Sequence, residues 1–309
     1  MTFRAVCRSW RAATDEPCGL SRRFRPHRWA MLDDLSRHVD SRLFLNIDTG
    51  RFLRKNVPLL NDGAYTYVGA ADVDTGYGYD MCILNPFTGS ILRFPTGLSS
   101  RRLCSRVAVT ADATAPLVFL FLGCLSGVCY DPSNPLPRWF SAQRSHAYIA
   151  DVGGSVKAVD CPKGPHTNPE ITTIIKHNSV TERSFLVDNV GELLLVPSMP
   201  GHPRYSPFVR RMHVFRLDLE RKALEPIKSI GNRAIFLGLG HCLSIDANHL
   251  PAIEANCIYY YNVKEKEMQM YLYHLEDGSR ELLTSPPIHG PSSLARIIIE
   301  YCRGRSNYE

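Results

Sequence analysis

The chain has 309 residues, of which 44% are hydrophobic and 21% charged, so it can bury one large core or two ordinary ones. Its longest apolar runs, such as 116–124 and 193–197, are too short to cross a bilayer, and no secretory leader can be assembled at its front. The net charge of +6 is too small to mark a polyanion binder by itself, and a soluble chain in the cytoplasm or nucleus is expected.

The first predicted element is a short helix over Phe3–Ala13. Phe3, Val6, Cys7 and Trp10 fall at i, i+3, i+4 and i+7 and form one apolar stripe, while Arg4, Arg8 and Arg11 line another side. Residues 1–60 hold 12 Lys+Arg against 6 Asp+Glu, and the remainder carries 24 of each. No nucleic-acid motif accompanies this basic segment, so a solvated helix face is expected and no nucleic acid or membrane as partner. Residues 1–14 are Arg-rich, contain Ser and lack acids, which leaves a mitochondrial leader as the alternative location.

Beyond Arg42 the chain reads as short strands and turns up to Cys302, without long helical periodicity. Leu45–Arg54 aligns without a gap on Leu84–Arg93, at an offset of 39, with six of ten positions identical. Tyr148–Val159 aligns on Phe185–Val196 at an offset of 37, keeping Asp151/Asp188, Gly154/Gly191 and Val159/Val196. Each unit reads as strand, tight polar turn, strand, with the Gly supplying a positive φ. Further hairpins are predicted at Val128–Tyr130 with Arg138–Phe140, at Met212–Leu217 with Ala223–Ile227, and at Met270–Leu275 with Arg280–Leu283 around Asp277-Gly278. A spacing near 40 residues built from short strands is the signature of propeller blades. The expected fold is therefore an all-β propeller of six or seven blades behind a short N-terminal helical segment. A β-sandwich is the rival architecture, but it predicts no repeat.

Chemistry-bearing patterns are sparse. Gly76-Tyr77-Gly78 and Gly238-Leu239-Gly240 lack the third Gly and following helix of a phosphate loop and read as turns. Asp72, Asp74 and Asp80 lack the spacing of a Ca²⁺ loop and read as a solvated segment. The ten cysteines contain no Cys-x-x-Cys and the eleven histidines are scattered, with His241 and Cys242 adjacent; adjacent strand residues point to opposite faces. Buried free thiols, no metal, no cofactor and no catalytic set are expected. A propeller hydrolase ranks low for want of a nucleophile or carboxylate set. The Pro-rich stretch His202–Pro207 reads as a long loop and a weak candidate for partner binding, or as a mere insertion.

Two resemblances give these elements a context. Val6-Cys7-Arg8-Ser9-Trp10-Arg11 resembles the last helix of an F-box, the module that docks a protein onto a ubiquitin ligase through a Skp-type adaptor. The Leu-Pro and Ile-rich segments that open an F-box are not found ahead of it, so the resemblance implies an F-box truncated to its last helix and linker, residues 1–27. Further on, Glu192–Val196, Val214–Asp218, Ile230–Gly238, Asn256–Tyr260 and Tyr273–Ser279 follow in order. With the early Leu84-Asn85-Pro86-Phe87-Thr88-Gly89 turn, this succession is similar to the plant F-box-associated propeller family known by the KIB name, over residues 28–305. The resemblance implies a non-enzymatic, substrate-recruiting subunit of a cullin–RING ubiquitin ligase. Its propeller would hold an unknown target protein, and Phe3, Val6, Cys7 and Trp10 would take part in docking the adaptor. The alternative it leaves open is an interaction propeller that has lost ligase coupling, possibly in an organelle.

Overall fold

A computed structural model describes residues 28–32, 41–58, 81–84, 86–87, 89, 91–94, 104–109, 118–122, 126–131, 134–140, 144–150, 155–160, 171–176, 183–198, 212–238, 242–264, 267–283 and 293–303. The segment with Phe3, Val6, Cys7 and Trp10, the Asp72–Asp80 stretch and the loop around His202–Pro207 lie outside them.

The described residues form six sheets, nearly all of them antiparallel. The first holds β1 (Trp29–Leu32), β2 (Arg42–Asn46) and β3 (Phe52–Lys55). The second is the hairpin β4 (Met81–Leu84) and β5 (Ile91–Phe94). The third runs β6 (Cys104–Val109), β7 (Val118–Leu122), β8 (Ser126–Asp131) and β9 (Asn134–Phe140). Pro135 and Pro137 are accommodated because β9 ends its sheet and owes hydrogen bonds on one side only. The fourth holds β10 (Arg144–Ala150), β11 (Val156–Asp160) and β12 (Ile171–Ile175). The fifth holds β13 (Arg183–Asn189), β14 (Glu192–Ser198), β15 (Val214–Asp218) and β16 (Ala223–Ile227).

The sixth sheet breaks the simple meander. It contains β17 (Arg233–Leu237), β18 (Cys242–Asp246), β19 (Cys257–Lys264), β20 (Glu267–His274) and β21 (Arg280–Leu283). Its spatial order is β18-β17-β19-β20-β21. β17 therefore lies between the two strands that follow it, antiparallel to β18 and parallel to β19.

Both repeats predicted from sequence are paired hairpins. β2–β3 and β4–β5 are the aligned pair at one offset, β10–β11 and β13–β14 the pair at the other. In one hairpin of each pair, β2–β3 and β13–β14, a local side-chain acceptor closes the turn. Asn46 Oδ1 accepts from the Asp48 and Thr49 amides at 3.2 and 3.0 Å, and Asp188 Oδ1 accepts from Gly191 N at 2.9 Å. Between β13 and β14 only Val190 and Gly191 remain, at φ 57 and 89. Two consecutive positive φ values give the mirror-image turn whose twist matches a hairpin.

Buried side chains explain the apolar runs. In β17, Ala234 and Phe236 face one core while Ile235 and Leu237 face another. The same division recurs in β19, Cys257 and Tyr259 against Ile258 and Tyr260, and in β20, Met270 and Leu272 against Tyr271 and Tyr273. Alternation puts successive residues on opposite faces, so a sheet covered on both sides has no polar register to show. One of its faces meets Val187, Leu194, Val196 and Val214 of the fifth sheet. The other meets Ala30, Leu32, Leu45 and Ile47 of the first. The fifth sheet turns Leu195 and Leu217 to Val156 and Ile175 of the fourth. Phe87, at the turn of the second sheet, lies against Trp29 and Phe44 of the first at 5.3 and 5.4 Å. Sheets adjacent in sequence thus pack face to face in these places, and the first sheet packs on the last.

Among the described residues one α-helix, α1 (Leu294–Arg303), lies near the C-terminus, which corrects the expectation of strands up to Cys302. Ile297-Ile298-Ile299 has the β-branched composition of a strand, but Ser293 Oγ accepts from the Arg296 amide at 3.3 Å and starts a helix. Ala295, Ile298, Ile299 and Cys302 then lie on one face and pack into the core shared by the first and last sheets. The helix expected at the N-terminus falls outside the described residues, and the helix observed is at the other end.

Candidate functional site

Phe3, Val6, Cys7 and Trp10 are not among the described residues, so the sites that can be built from geometry lie elsewhere. Two polar clusters stand out, both on the sixth sheet.

The first is a junction of three sheets. Arg233, at the start of β17, donates through Nε to Ser244 Oγ at 2.8 Å and through Nη2 to the Ser244 carbonyl at 2.6 Å. Ser244 Oγ in turn donates to Asn189 Oδ1 of the fifth sheet at 2.6 Å. Arg233 Nη2 also reaches Asp48 Oδ1 of the first sheet at 3.4 Å. Arg28 joins the same acid, Nε to Oδ2 at 3.5 Å, and spans to Asp188 of the fifth sheet at 3.2 Å. Donors and acceptors answer one another throughout, and the Arg233 side chain is only 13% exposed. A cluster so matched serves to fix sheets together.

The second is a cleft at the entry to β19. β18 ends at Asp246, whose side chain accepts from Asn248 N and caps a single 3-10 turn, Ala247–His249. The loop that follows is pinned at several points. Ile253 is buried, and Glu254 N donates to the Tyr259 hydroxyl at 2.9 Å. Asn256 sits at φ 57, donates its amide to the Arg233 carbonyl at 2.8 Å and accepts from the Leu275 amide at 3.1 Å. Its side-chain oxygen accepts from the Ile230 amide at 3.0 Å. Left-handed backbone is tolerated by Asn better than by most residues.

That anchoring places Cys257 as the first residue of β19, in register with His274, the last of β20. Cys257 Sγ lies 3.3 Å from His274 Nδ1, and Glu254 Oε2 lies 4.0 Å from the same nitrogen. Ala255, Asn256, Glu276 and Asp277 complete a cleft of about 300 Å³. Cys257 is buried, and burial pushes its thiol up to about 11, helped by the negative charges of Glu254 and Asp277. A nucleophilic cysteine needs the opposite shift. Asp277 is held below the usual carboxylate range by hydrogen bonds from Ser279.

Sequence reading missed this cluster because its members are separated along the chain, His274 lying 17 positions after Cys257. The histidines are scattered along the sequence, and the strand register brings one of them, His274, beside Cys257. The signal that could have found it is the Lys264–Glu267 hairpin, whose two-residue loop fixes every pair back to Cys257↔His274.

A comparison with known families gives the cleft and the junction their setting. The model of the KIB1-4 beta-propeller family matches residues 64–274, more than half of the chain. The chain belongs to that family. The match takes in the Cys257–His274 pair and ends on His274 itself. No curated protein matches the chain. Among the described residues no helix is long and apolar enough to cross a membrane.

Proposed function

We propose that this KIB-type propeller is the substrate-recruiting subunit of a cullin–RING ubiquitin ligase, its propeller over residues 28–305 holding a target protein. The single observation that carries the reading is the coexistence, in one chain, of the family match at 64–274 and the Val6-Cys7-Arg8-Ser9-Trp10-Arg11 segment with its apolar stripe. The packing of the first sheet on the last supports a ring of six or seven blades, because radial sheets close only if the two ends of the array meet.

Within this reading Phe3, Val6, Cys7 and Trp10 form the adaptor-docking face and the ligase machinery supplies ubiquitin. A pull-down with a Skp-type adaptor tests it. The wild-type chain should retain the adaptor, and Trp10→Ala should weaken retention by at least about tenfold, since a central Trp anchor commonly carries 2 kcal/mol or more of an interface. No retention by the wild type would leave an interaction propeller without ligase coupling.

A further inference from the structure

We infer that Glu254, Cys257 and His274 form a binding site for a zinc ion that ties the loop entering β19 to the end of β20. Three ligand types converge here: a thiol, an imidazole and a carboxylate, with ligand atoms all within 4.8 Å of one another. In a tetrahedral zinc site with bond lengths of about 2.0–2.3 Å, ligand atoms stand about 3.3–3.6 Å apart. Cys257 Sγ and His274 Nδ1 are at 3.3 Å, and Glu254 Oε2 stands at 4.0 Å from Nδ1. The remaining adjustment is a swing of Glu254, an exposed and flexible side chain, by about 0.7 Å toward Nδ1 and by no more than about 1.3 Å toward Sγ.

Backbone geometry supports the site. Cys257 and His274 face each other as cross-strand partners, at a separation that no rotation of the loop can change. Glu254 is carried on a backbone whose amide is fixed to Tyr259 at 2.9 Å. The ligand arms are thus positioned by the sheet and its hydroxyl anchor rather than by a free loop, as a preorganised site requires.

Charge points the same way. Glu254, Glu276 and Asp277 surround one imidazole and one thiol, so the cleft favours a cation. A Cys thiolate and a Glu carboxylate balance the two charges of Zn²⁺, and a soft sulfur with an imidazole selects zinc over Mg²⁺ or Ca²⁺. On binding, the Cys257 proton leaves to solvent and the S–H bond is replaced by S–Zn, with no change of oxidation state. His274 must present Nδ1 as a lone pair and carry its proton on Nε2. Glu276 and Asp277 line the same cleft as Cys257 and His274. This inference stands whether or not the chain docks an adaptor, because it uses none of Phe3, Val6, Cys7 or Trp10.

The test uses the full purified chain, stripped of metal and titrated with Zn²⁺ against a chromophoric chelator, and with Co²⁺ as a spectroscopic stand-in. Wild type should take up one more equivalent of Zn²⁺ than Cys257→Ser. The Co²⁺ difference spectrum between them should show thiolate-to-metal charge transfer with tetrahedral ligand-field bands. Glu254→Gln sits on an exposed side chain and keeps the fold testable if the buried Cys257→Ser variant does not fold. It should weaken zinc by about tenfold or more, the usual scale for a perturbed ligand set. Equal zinc uptake and affinity in wild type, Cys257→Ser and Glu254→Gln would overturn the inference. So would a Co²⁺ difference spectrum without a thiolate band.

Discussion

The junction at Arg233 and the cleft at Cys257 lie on the same sheet, yet they use polarity in opposite ways. At the junction each donor finds an acceptor, and three of the contacts cross from one sheet to another: Arg233 to Asp48, Ser244 to Asn189 and Arg28 to Asp188, with Arg233 also held by Ser244 and Arg28 by Asp48. In the cleft three carboxylates gather around one histidine and a desolvated thiol. The first arrangement is satisfied within the fold and spends its capacity on holding three sheets. The second presents acceptors to open space. Polar clustering alone therefore does not mark a binding site; an imbalance of sign that faces a cleft does.

Breaking the junction should give the largest effect. Arg233→Ala removes one of the two charge partners of Asp48, leaving Arg28, and takes the donor from both the hydroxyl and the carbonyl of Ser244 at a site where Arg233 is only 13% exposed. The two part-buried Ser244 acceptors left without their charged donor should together cost about 2–3 kcal/mol. Glu254→Gln, by contrast, alters an exposed cleft residue and should stay within about 0.5 kcal/mol in the absence of metal. Chemical denaturation of both variants checks the pair. Equal losses would erase the distinction between a structural cluster and a binding one.

A smaller effect separates two turns at the scale of one atom. Gly50 (φ +65) lies so close to the 3-10 turn that an added Cβ would stand 2.7 Å from the His249 carbonyl oxygen. Gly191 (φ +89) faces nothing within 4 Å. Both glycines carry the left-handed penalty, about 1 kcal/mol for an L-residue. Only Gly50 adds a clash with backbone, which cannot swing aside, so Gly50→Ala should cost about 2 kcal/mol and Gly191→Ala about 1 kcal/mol. Thermal melts of the two variants decide whether the first sheet really bears on the loop that leads to the cleft.

The hairpins were legible because each rests on local chemistry: Asn46, Asp188, Asp218 and Asp277 all accept an amide two or three residues on. The ordered motifs Ile230–Gly238 and Asn256–Tyr260 were also legible, but their parallel pairing, Ala234↔Cys257 through Leu237↔Tyr260, was not. Nothing local announces that a strand will lie between its two successors, because that choice is made by the cores on either side. The same holds for α1, where three consecutive isoleucines favour a strand and only Ser293 and the shared core decide for a helix. The cleft was hidden for the reason the family match was not. A family pattern is read along the chain, whereas Glu254, Cys257 and His274 meet only across it.

The smallest effect concerns the second buried thiol in this region. Cys302, on α1, is buried in the same core, and desolvation raises it well above 9.0, with Cys242 adding to the shift. A folded value above the unfolded one means that the folded chain holds this proton more tightly. The contribution is intact below pH 9.0 and is lost as pH climbs above it, so it is invisible at neutral pH. Cys302→Ala should therefore flatten part of the alkaline fall in Tm while changing little near neutrality beyond the loss of one small buried group. Parallel alkaline curves for wild type and variant would assign that fall to other groups. The native thiol should likewise resist alkylation until the chain is unfolded, because only a thiolate reacts. Cys257 borders a cleft lined by acids and polar groups, whereas Cys302 is enclosed by Ile298, Ile299 and the two sheets beneath them. Metal added to the native chain should accordingly change the spectroscopy of the first and leave the second untouched.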